Sequence, residues 1–278
     1  MSISCVIPIY GLNTGANAEF FEKLLSSLKT AVRCLGESFE LIIVNDDRER
    51  LSAESIKDIC SKYGFQDSLI YHENETNRGQ AYSRNVGASL ASGEYLHFID
   101  QDDYISEGFY KSFINQQGKA DLYIALPFFD KDGIIKKAYT RCLKKAYKNA
   151  KYICDLWYLL LSNIVYSPGQ VLMSKCAFNS TGGFPVLVNR GADDFALFYK
   201  LVFGVENYHV KFIPESKFFY RIHSQQNSKL SSTNTSACEF LSQLKPIGLK
   251  QTVVYKQKTR KWAGWLSKLF YIIFFKRS

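Results

Sequence analysis

The sequence predicts an α/β protein with a mainly parallel sheet flanked by helices, and three observations carry that prediction. From Ile3 to Ile99 short apolar runs alternate with amphipathic stretches, the spacing of βαβ units. The runs at 4–10, 39–44 and 95–99 are mainly apolar, as strands covered on both faces require. Each run ends in polar residues, and in such sheets ligands bind beyond the carboxyl ends of the strands.

Ser4 to Tyr10 (S-C-V-I-P-I-Y) is closed by a Gly/Asn loop and reads as the first strand. Ala18 to Leu35 is helical, with Phe20, Phe21, Leu24, Leu25, Leu28 and Val32 at helical spacing. Phe39 to Val44 is the second strand and ends at Asn45-Asp46-Asp47. Ser52 to Tyr63 is a helix with Ser52 as its N-cap, and Ser68 to His72 the third strand. Gly79 to Ala91 is a helix, and Tyr95 to Ile99 the fourth strand, which runs into Asp100-Gln101-Asp102-Asp103. The second half is less regular. It holds strands at 120–129, 170–173, 208–213 and 218–222, helices at 149–164 and 193–203, a turn at Gly133, a tight loop at 182–185 and a polar loop at 224–236.

The 278 residues, 46% hydrophobic and 22% charged, are enough to bury a core in one large domain or two small ones. No window approaches the roughly 20 apolar residues of a membrane span, and Met1-Ser2-Ile3-Ser4 lacks the charged start of a signal peptide. The expectation is a cytoplasmic protein whose seven scattered cysteines, without a C-x-x-C pair, are reduced and mainly buried. The net charge of +9 is uneven: nine Lys or Arg and no acidic residue follow Glu239, and the remaining 26 basic residues balance 26 acidic ones. The basicity belongs to an appendage, which argues against a nucleic-acid groove through the fold.

The strand ends bring Tyr10, Asp46-Asp47, Asn77-Arg78-Gly79 and Asp100 to Asp103 to one edge, the expected site. There is no G-x-G-x-x-G after the first strand and no G-x-x-x-x-G-K-[ST], so dinucleotide and P-loop folds are disfavoured. The carboxylates at 100, 102 and 103 repel one another; they form either a solvated turn or a site for a cation. Asp46 is a candidate N-cap for the following helix. Arg78 and Arg84 pair with a ligand's phosphates or base, or Arg84 braces its loop. Asp193-Asp194 suit a helix N-terminus as partners of its dipole. His72, His97 and His209 fall in strand segments and read as structural.

In order, V-I-P-I-Y at 6–10, I-V-N-D at 43–46, N-R-G-x-x-x-S-R-N-x-G at 77–87, S-G-E-Y-L-x-F-I-D-Q-D-D at 92–103, G-G-F at 182–184 and D-D-F-A-L at 193–197 resemble the family 2 glycosyltransferases. The resemblance spans residues 3 to 228. It implies a GT-A fold, a Rossmann-like mainly parallel sheet, and an inverting transfer from a nucleotide-sugar donor, UDP-linked, to a saccharide or lipid-linked acceptor in surface-polysaccharide synthesis. It further implies that Pro8, Tyr10, Asp46, Arg78, Arg84 and Asp100 meet the nucleotide. Asp102, Asp103 and His223, the last in Tyr220-Arg221-Ile222-His223, would hold Mn²⁺ or Mg²⁺. His223 has a phosphate-binding or plain loop role as its alternative. Asp194 takes the position of the general base, and Gly182, Gly183 and Asp193 approach the acceptor or donor sugar. The usual D-G-S after the second strand is here Asp46-Asp47-Arg48, which alters the local turn.

Residues 1–236 are the expected catalytic domain, with a nucleotide-binding half at 1–103 and an acceptor-binding half at 104–236; residues 237–278 form a basic tail. Within the tail, Trp262, Trp265, Leu266, Leu269, Phe270, Ile273 and Phe274 follow helical spacing behind a basic cluster. Residues 255–278 therefore read as an amphipathic helix on anionic lipid at the inner face of the cell membrane, or as a helix packing on the body or a partner. The cluster Lys136 to Lys151 meets a lipid diphosphate or is a solvated helix, and Trp157 and Tyr158 stack on a sugar or belong to the core. A non-catalytic sugar-nucleotide-binding subunit and a nucleotidyltransferase are the rival functions. The second is disfavoured by the lack of a Gly-rich basic phosphate loop near the N-terminus.

Overall fold

The computed structural model describes residues 1–12, 15–116, 120–137, 165–188, 191–204, 208–223, 236 and 239–240. The expected helix at 149–164 with Trp157 and Tyr158, the basic cluster beyond Lys137, most of the polar loop at 224–236 and the tail at 255–278 lie outside the described residues. No helix among the described residues is long and apolar enough to cross a membrane.

Strands β1 (Ile3–Ile9), β2 (Phe39–Asn45), β3 (Leu69–Glu73) and β4 (Tyr95–Phe98) alternate with helices α1 (Gly15–Ala31), α2 (Ala53–Lys62) and α3 (Gln80–Leu90). There follow β5 (Tyr104–Ile105), α4 (Phe109–Ile114), β6 (Leu122–Lys131), β7 (Ile134–Lys137), β8 (Val171–Ser174), α5 (Lys175–Thr181), α6 (Asp193–Gly204) and β9 (Val210–Arg221). One sheet runs β3-β2-β1-β4-β8-β6-β9-β5, with β7 paired to β6. The first four strands in this order are parallel, as expected, whereas β8 joins β4 and β6 antiparallel. The two strands expected at 208–213 and 218–222 are one strand, β9, with a bulge: Ile213 faces Ala125 and Lys217 faces Leu126, so residues 214–216, with Pro214, have no partners across the ladder. The short β5, β7, α4 and α5 carry too few apolar positions for a periodic signal and escape the sequence reading.

Alternation along the strands divides the core into two faces. Cys5, Ile7 and Ile9 of β1 and Leu41 and Ile43 of β2 pack with Phe21, Leu24, Leu25 and Leu28 of α1. Val6, Ile42 and Val44 point the other way, toward Ala88 of α3, Phe178 of α5 and Leu197 and Leu201 of α6. Each such buried side chain contributes about 1.5–3 kcal/mol relative to exposure. Pro8 lies past the last β1–β4 pair, Val6 with Phe98, where the central strand has become one-sided and tolerates a missing N–H. His97 is fully buried, with Nε2 at 2.8 Å from the Gly169 carbonyl and Nδ1 at 2.7 Å from the Tyr110 hydroxyl, and burial pushes it down to about 4. It is structural. His72 lies in β3, while His209 falls just outside β9, exposed, with Asp121 at 3.7 Å. Of the four described cysteines Cys5 and Cys60 are buried, but Cys34 and Cys176 are exposed, against expectation.

Helix α3 sits tightly on the sheet because Gly87 has no side chain. A Cβ there would stand 2.3 Å from Val6 Cγ1, and Val6 is a stiff, buried, β-branched residue. We expect Gly87→Ala to cost about 1–3 kcal/mol in urea unfolding by overpacking; an unchanged midpoint would show that α3 is free to move outward.

Candidate active site

A cleft of about 450 Å³ opens beyond the carboxyl ends of β1, β2 and β4, within the size range of small-ligand sites. Its first-half wall includes Pro8, Tyr10, Asp46, Gly79, Arg84 and Asp100 to Asp103; its second-half wall includes Tyr166, Ser167, Asp194, Tyr220 and His223. The segments expected to converge do so, from strand ends separated by up to two hundred positions in the chain.

The loop after β4 is the centre of this arrangement. Gln101, the middle residue of D-Q-D, uses its amide to receive the Tyr10 N–H and to donate to the Tyr10 carbonyl, both at 2.8 Å. It thereby extends the β1–β4 pairing past the end of the ladder. One ligand oxygen from each of Asp100, Asp102 and Asp103 lies within 4.8 Å of the others. Asp102 Oδ2 is 2.6 Å from His223 Nε2, so the last strand delivers an imidazole onto the loop. Asp103 is 1% exposed, and it accepts from the Arg221 N–H (2.9 Å) through Oδ1 and from the Ser167 hydroxyl (3.2 Å) through Oδ2. Burial, then the charges of Asp102 and Asp100, raises its carboxyl well above the usual range. A divalent cation reverses that repulsion, and carboxylate oxygens with one imidazole nitrogen are donors suited to Mn²⁺ or Mg²⁺. The donor set fits such an ion, with Asp102 and His223 presented to it; Asp103, expected as a further ligand, belongs to the same carboxylate group but already accepts through both oxygens and braces the loop.

Asp46 does not cap a helix. Its Oδ1 accepts from Asn74 Nδ2 and the Arg78 N–H, both at 2.8 Å, and its Oδ2 from the Gly79 N–H at 2.7 Å. The α2 cap is Ser52, whose Oγ accepts from the Ser55 N–H at 3.2 Å. Asp46 thus pins the start of α3, where Gly79 has φ 85°, to the end of β2 while still lining the cleft. Asp47, standing where the family pattern has glycine, accepts from the Gly11 N–H at 2.9 Å and so holds the loop after β1.

Arg84 carries the bracing role. It is 1% exposed and its two terminal nitrogens donate to Asp100 Oδ1 and Asp193 Oδ2. This ties the β4 loop to the first turn of α6, and Asp193 also accepts from Gln80 Nε2 at 3.0 Å. The next residue, Asp194, turns its half-buried carboxylate into the cleft. Burial, then the neighbouring Asp193, pushes Asp194 up to about 7.

Several sequence expectations are corrected by this geometry. Asp193 is consumed by Arg84 and Gln80 and does not line the cleft. Arg78 lies outside it too, exposed, with its guanidinium 4.4 Å from the Tyr82 ring centre; only its backbone N–H serves the site. Gly182 and Gly183, at φ 71° and 77°, end α5 and let Phe184 enter the core, and a Cβ on Gly183 would stand 2.7 Å from Asn85 Oδ1. They turn the chain and line no part of the cleft. Tyr166 and Ser167 line it but carry no motif, and Tyr220 lines it although sequence reasoning notes it only as the start of the segment that ends in His223.

The profile described as Glycosyl transferase family 2 matches residues 4–181. The chain belongs to that family. The minor teichoic acid biosynthesis protein GgaB of Bacillus subtilis is 30% identical over 138 residues, 47% of this chain and 14% of that protein. Glycosyltransferase GlyG of Streptococcus pneumoniae is 28% identical over 125 residues, 45% of this chain and 38% of that protein. The matched part is well under two thirds of the length of either relative. The structure of S. aureus TarS 1–349 in complex with UDP-GlcNAc superposes with a TM-score of 0.64 at 18% identity, covering 91% of this chain and 70% of that one. At that identity the likeness is one of fold, and this family 2 glycosyltransferase has the GT-A fold.

Removing Arg84 leaves the buried Asp193 and the partly exposed Asp100 without their cation. We expect Arg84→Met to cost about 3–5 kcal/mol in guanidinium unfolding. Asp193→Asn in the same chain should recover part of that loss, and strictly additive effects would contradict the clamp.

Proposed function

We propose that this glycosyltransferase moves a sugar from a UDP-linked donor, with inversion and with a divalent cation, onto a saccharide or lipid-linked acceptor of a cell-surface polymer. One observation carries the reading: a single cleft joins an Asp102–His223 pair, suited to a cation on a diphosphate, with a raised carboxyl, Asp194, on the opposing half of the fold. The UDP-GlcNAc and UDP held by TarS, and the teichoic acid role in the name of GgaB, support the donor and polymer classes.

When bound, the cation neutralises charge that develops on the departing diphosphate. The chain's own residues do the rest. Pro8 and Tyr10, held by Gln101, form the floor under the nucleotide, and Asp46 offers a carboxylate edge to an imide N–H. Asp194 accepts the proton of the acceptor hydroxyl as that oxygen bonds to the anomeric carbon and the bond from that carbon to the diphosphate breaks. The tail from 237, whose sequence at 255–278 is basic and aromatic, holds the enzyme at the membrane surface near a lipid-linked acceptor.

The test is a panel of nucleotide-sugars with Mn²⁺ or EDTA, reading free UDP. Release that requires metal and vanishes in Asp102→Ala is expected, and Asp194→Asn should lower it by about 10²–10⁴. A chain that binds UDP and keeps its full function as Asp194→Asn would instead be a binding subunit.

The pH dependence follows from the Asp194 carboxyl, which is protonated below about 7 and then cannot take a proton. Accordingly kcat/KM should fall as pH drops through about 7, and Asp194→Glu should move that limb. A limb near pH 4 would remove Asp194 from the base role.

A further inference from the structure

Gly182, Gly183 and Asp193 do not line the cleft, and among the described residues of the second half other groups do. Two tyrosines do so. Tyr166 precedes the turn at 167–170, and Tyr220 lies near the end of β9; both are half-buried and both line the cleft. Behind them stands Phe129 of β6, which does not line the cleft itself. Its ring centre is 5.0 Å from that of Tyr166 and 6.0 Å from that of Tyr220, with interplanar angles of 70° and 76°. The edge-to-face contacts fix both phenol rings against a common support.

The same pair of segments is tied to the D-Q-D loop by one buried carboxylate. Asp103 accepts from Ser167, next to Tyr166, and from the backbone of Arg221, next to Tyr220. Arg221 itself is turned away from the tyrosines, with its guanidinium 4.2 Å from the Phe20 ring centre and 5.3 Å from that of Tyr104. The Tyr166 N–H and the Ala125 carbonyl are both held by the Gln170 amide, at 3.0 Å each, so the turn cannot drift from β6. The wall is therefore preorganised beside Asp102 and His223, and among the described residues it includes the two tyrosines, Ser167 and Pro168, with Asp194 in the same cleft. Flat apolar faces edged by hydrogen-bonding groups match a neutral pyranose ring, which has an apolar C–H face and a rim of hydroxyls. The nearby carboxylates disfavour an anionic group.

We propose that Tyr166 and Tyr220, backed by Phe129 and anchored through Asp103, form the subsite that stacks on a pyranose ring of the acceptor. The inference rests on the glycosyltransferase reading, but its test is independent of turnover. Full-length protein loaded with UDP and Mn²⁺ would be titrated with methyl β-glucopyranoside and methyl β-N-acetylglucosaminide, with saturation-transfer NMR as the readout. We expect Tyr166→Ala and Tyr220→Ala each to weaken binding about tenfold. Tyr220→Phe should keep it, with UDP affinity unchanged in all three and a lowered thermal midpoint confined to the two alanine variants, which lose their contact with Phe129. Equal pyranoside affinity in wild type and both alanine variants would overturn the proposal.

A parallel KM for the nucleotide-sugar, from its slow hydrolysis, separates the two sources of a pyranose. An unchanged donor KM assigns the wall to the acceptor, and a donor KM raised in step with the pyranoside loss overturns that assignment. If wild type binds pyranosides at this wall but never releases UDP from any donor, the subsite stands and the transferase reading falls. If wild type turns over and the tyrosine variants match it in pyranoside binding, the reverse holds.

Discussion

Arg84 lies fully buried between Asp100 at the end of β4 and Asp193 at the start of α6, and the relative position of the two chemical ends of the cleft depends on it. A guanidinium can bridge two carboxylates in this way because its donors are planar and splayed, which a lysine ammonium cannot reproduce. One end of the bridge is continuous with the loop that carries Asp102; the other is one residue from Asp194. Movement of either end leaves a charge unpaired at depth, so the bridge resists shear between the halves. Gly87 makes the bridge possible from below by letting α3 approach β1 closely enough for Arg84 to reach both partners.

Around this bridge the carboxylates divide by task. Asp46, Asp47, Asp103 and Asp193 are buried and take backbone or side-chain N–H and O–H donors: they hold loops. Asp102 and Asp194 are more open to the cleft that Asp46 and Asp103 also line, the first toward His223 and the second, which accepts from the Phe195 N–H, with its carboxyl made a weaker acid. Concentrating this much negative charge destabilises the fold unless a cation arrives, and that cost is consistent with a site built to recruit one.

The sequence disclosed the first half well, because β1 to β4 are mainly apolar runs and their ends are where ligands must bind. The D-Q-D loop and Asp46 at one edge were legible for the same reason, whereas Asp194, at a helix start, was placed only by the family resemblance. The partners were not. Nothing local shows that Arg84 meets Asp193 across 109 positions, or that Asp103 ties Ser167 to Arg221. Gly182 and Gly183 looked like a ligand loop, yet their positive φ and contact with Asn85 serve the chain's own turn. Tyr166 was invisible because an isolated tyrosine in a turn has no pattern, and Tyr220 was seen only as the start of the segment ending in His223; the packing on Phe129 distinguishes both.

The central claim is that the cleft holds a nucleotide diphosphate through a cation at Asp102 and His223. Calorimetric titration of UDP into the full-length protein, with Mn²⁺ and after chelation, tests it most directly, with His223→Ala alongside. The account predicts UDP binding that depends on Mn²⁺ in wild type and loses most of that dependence in His223→Ala. Equal binding with and without metal, or none in either state, would contradict it.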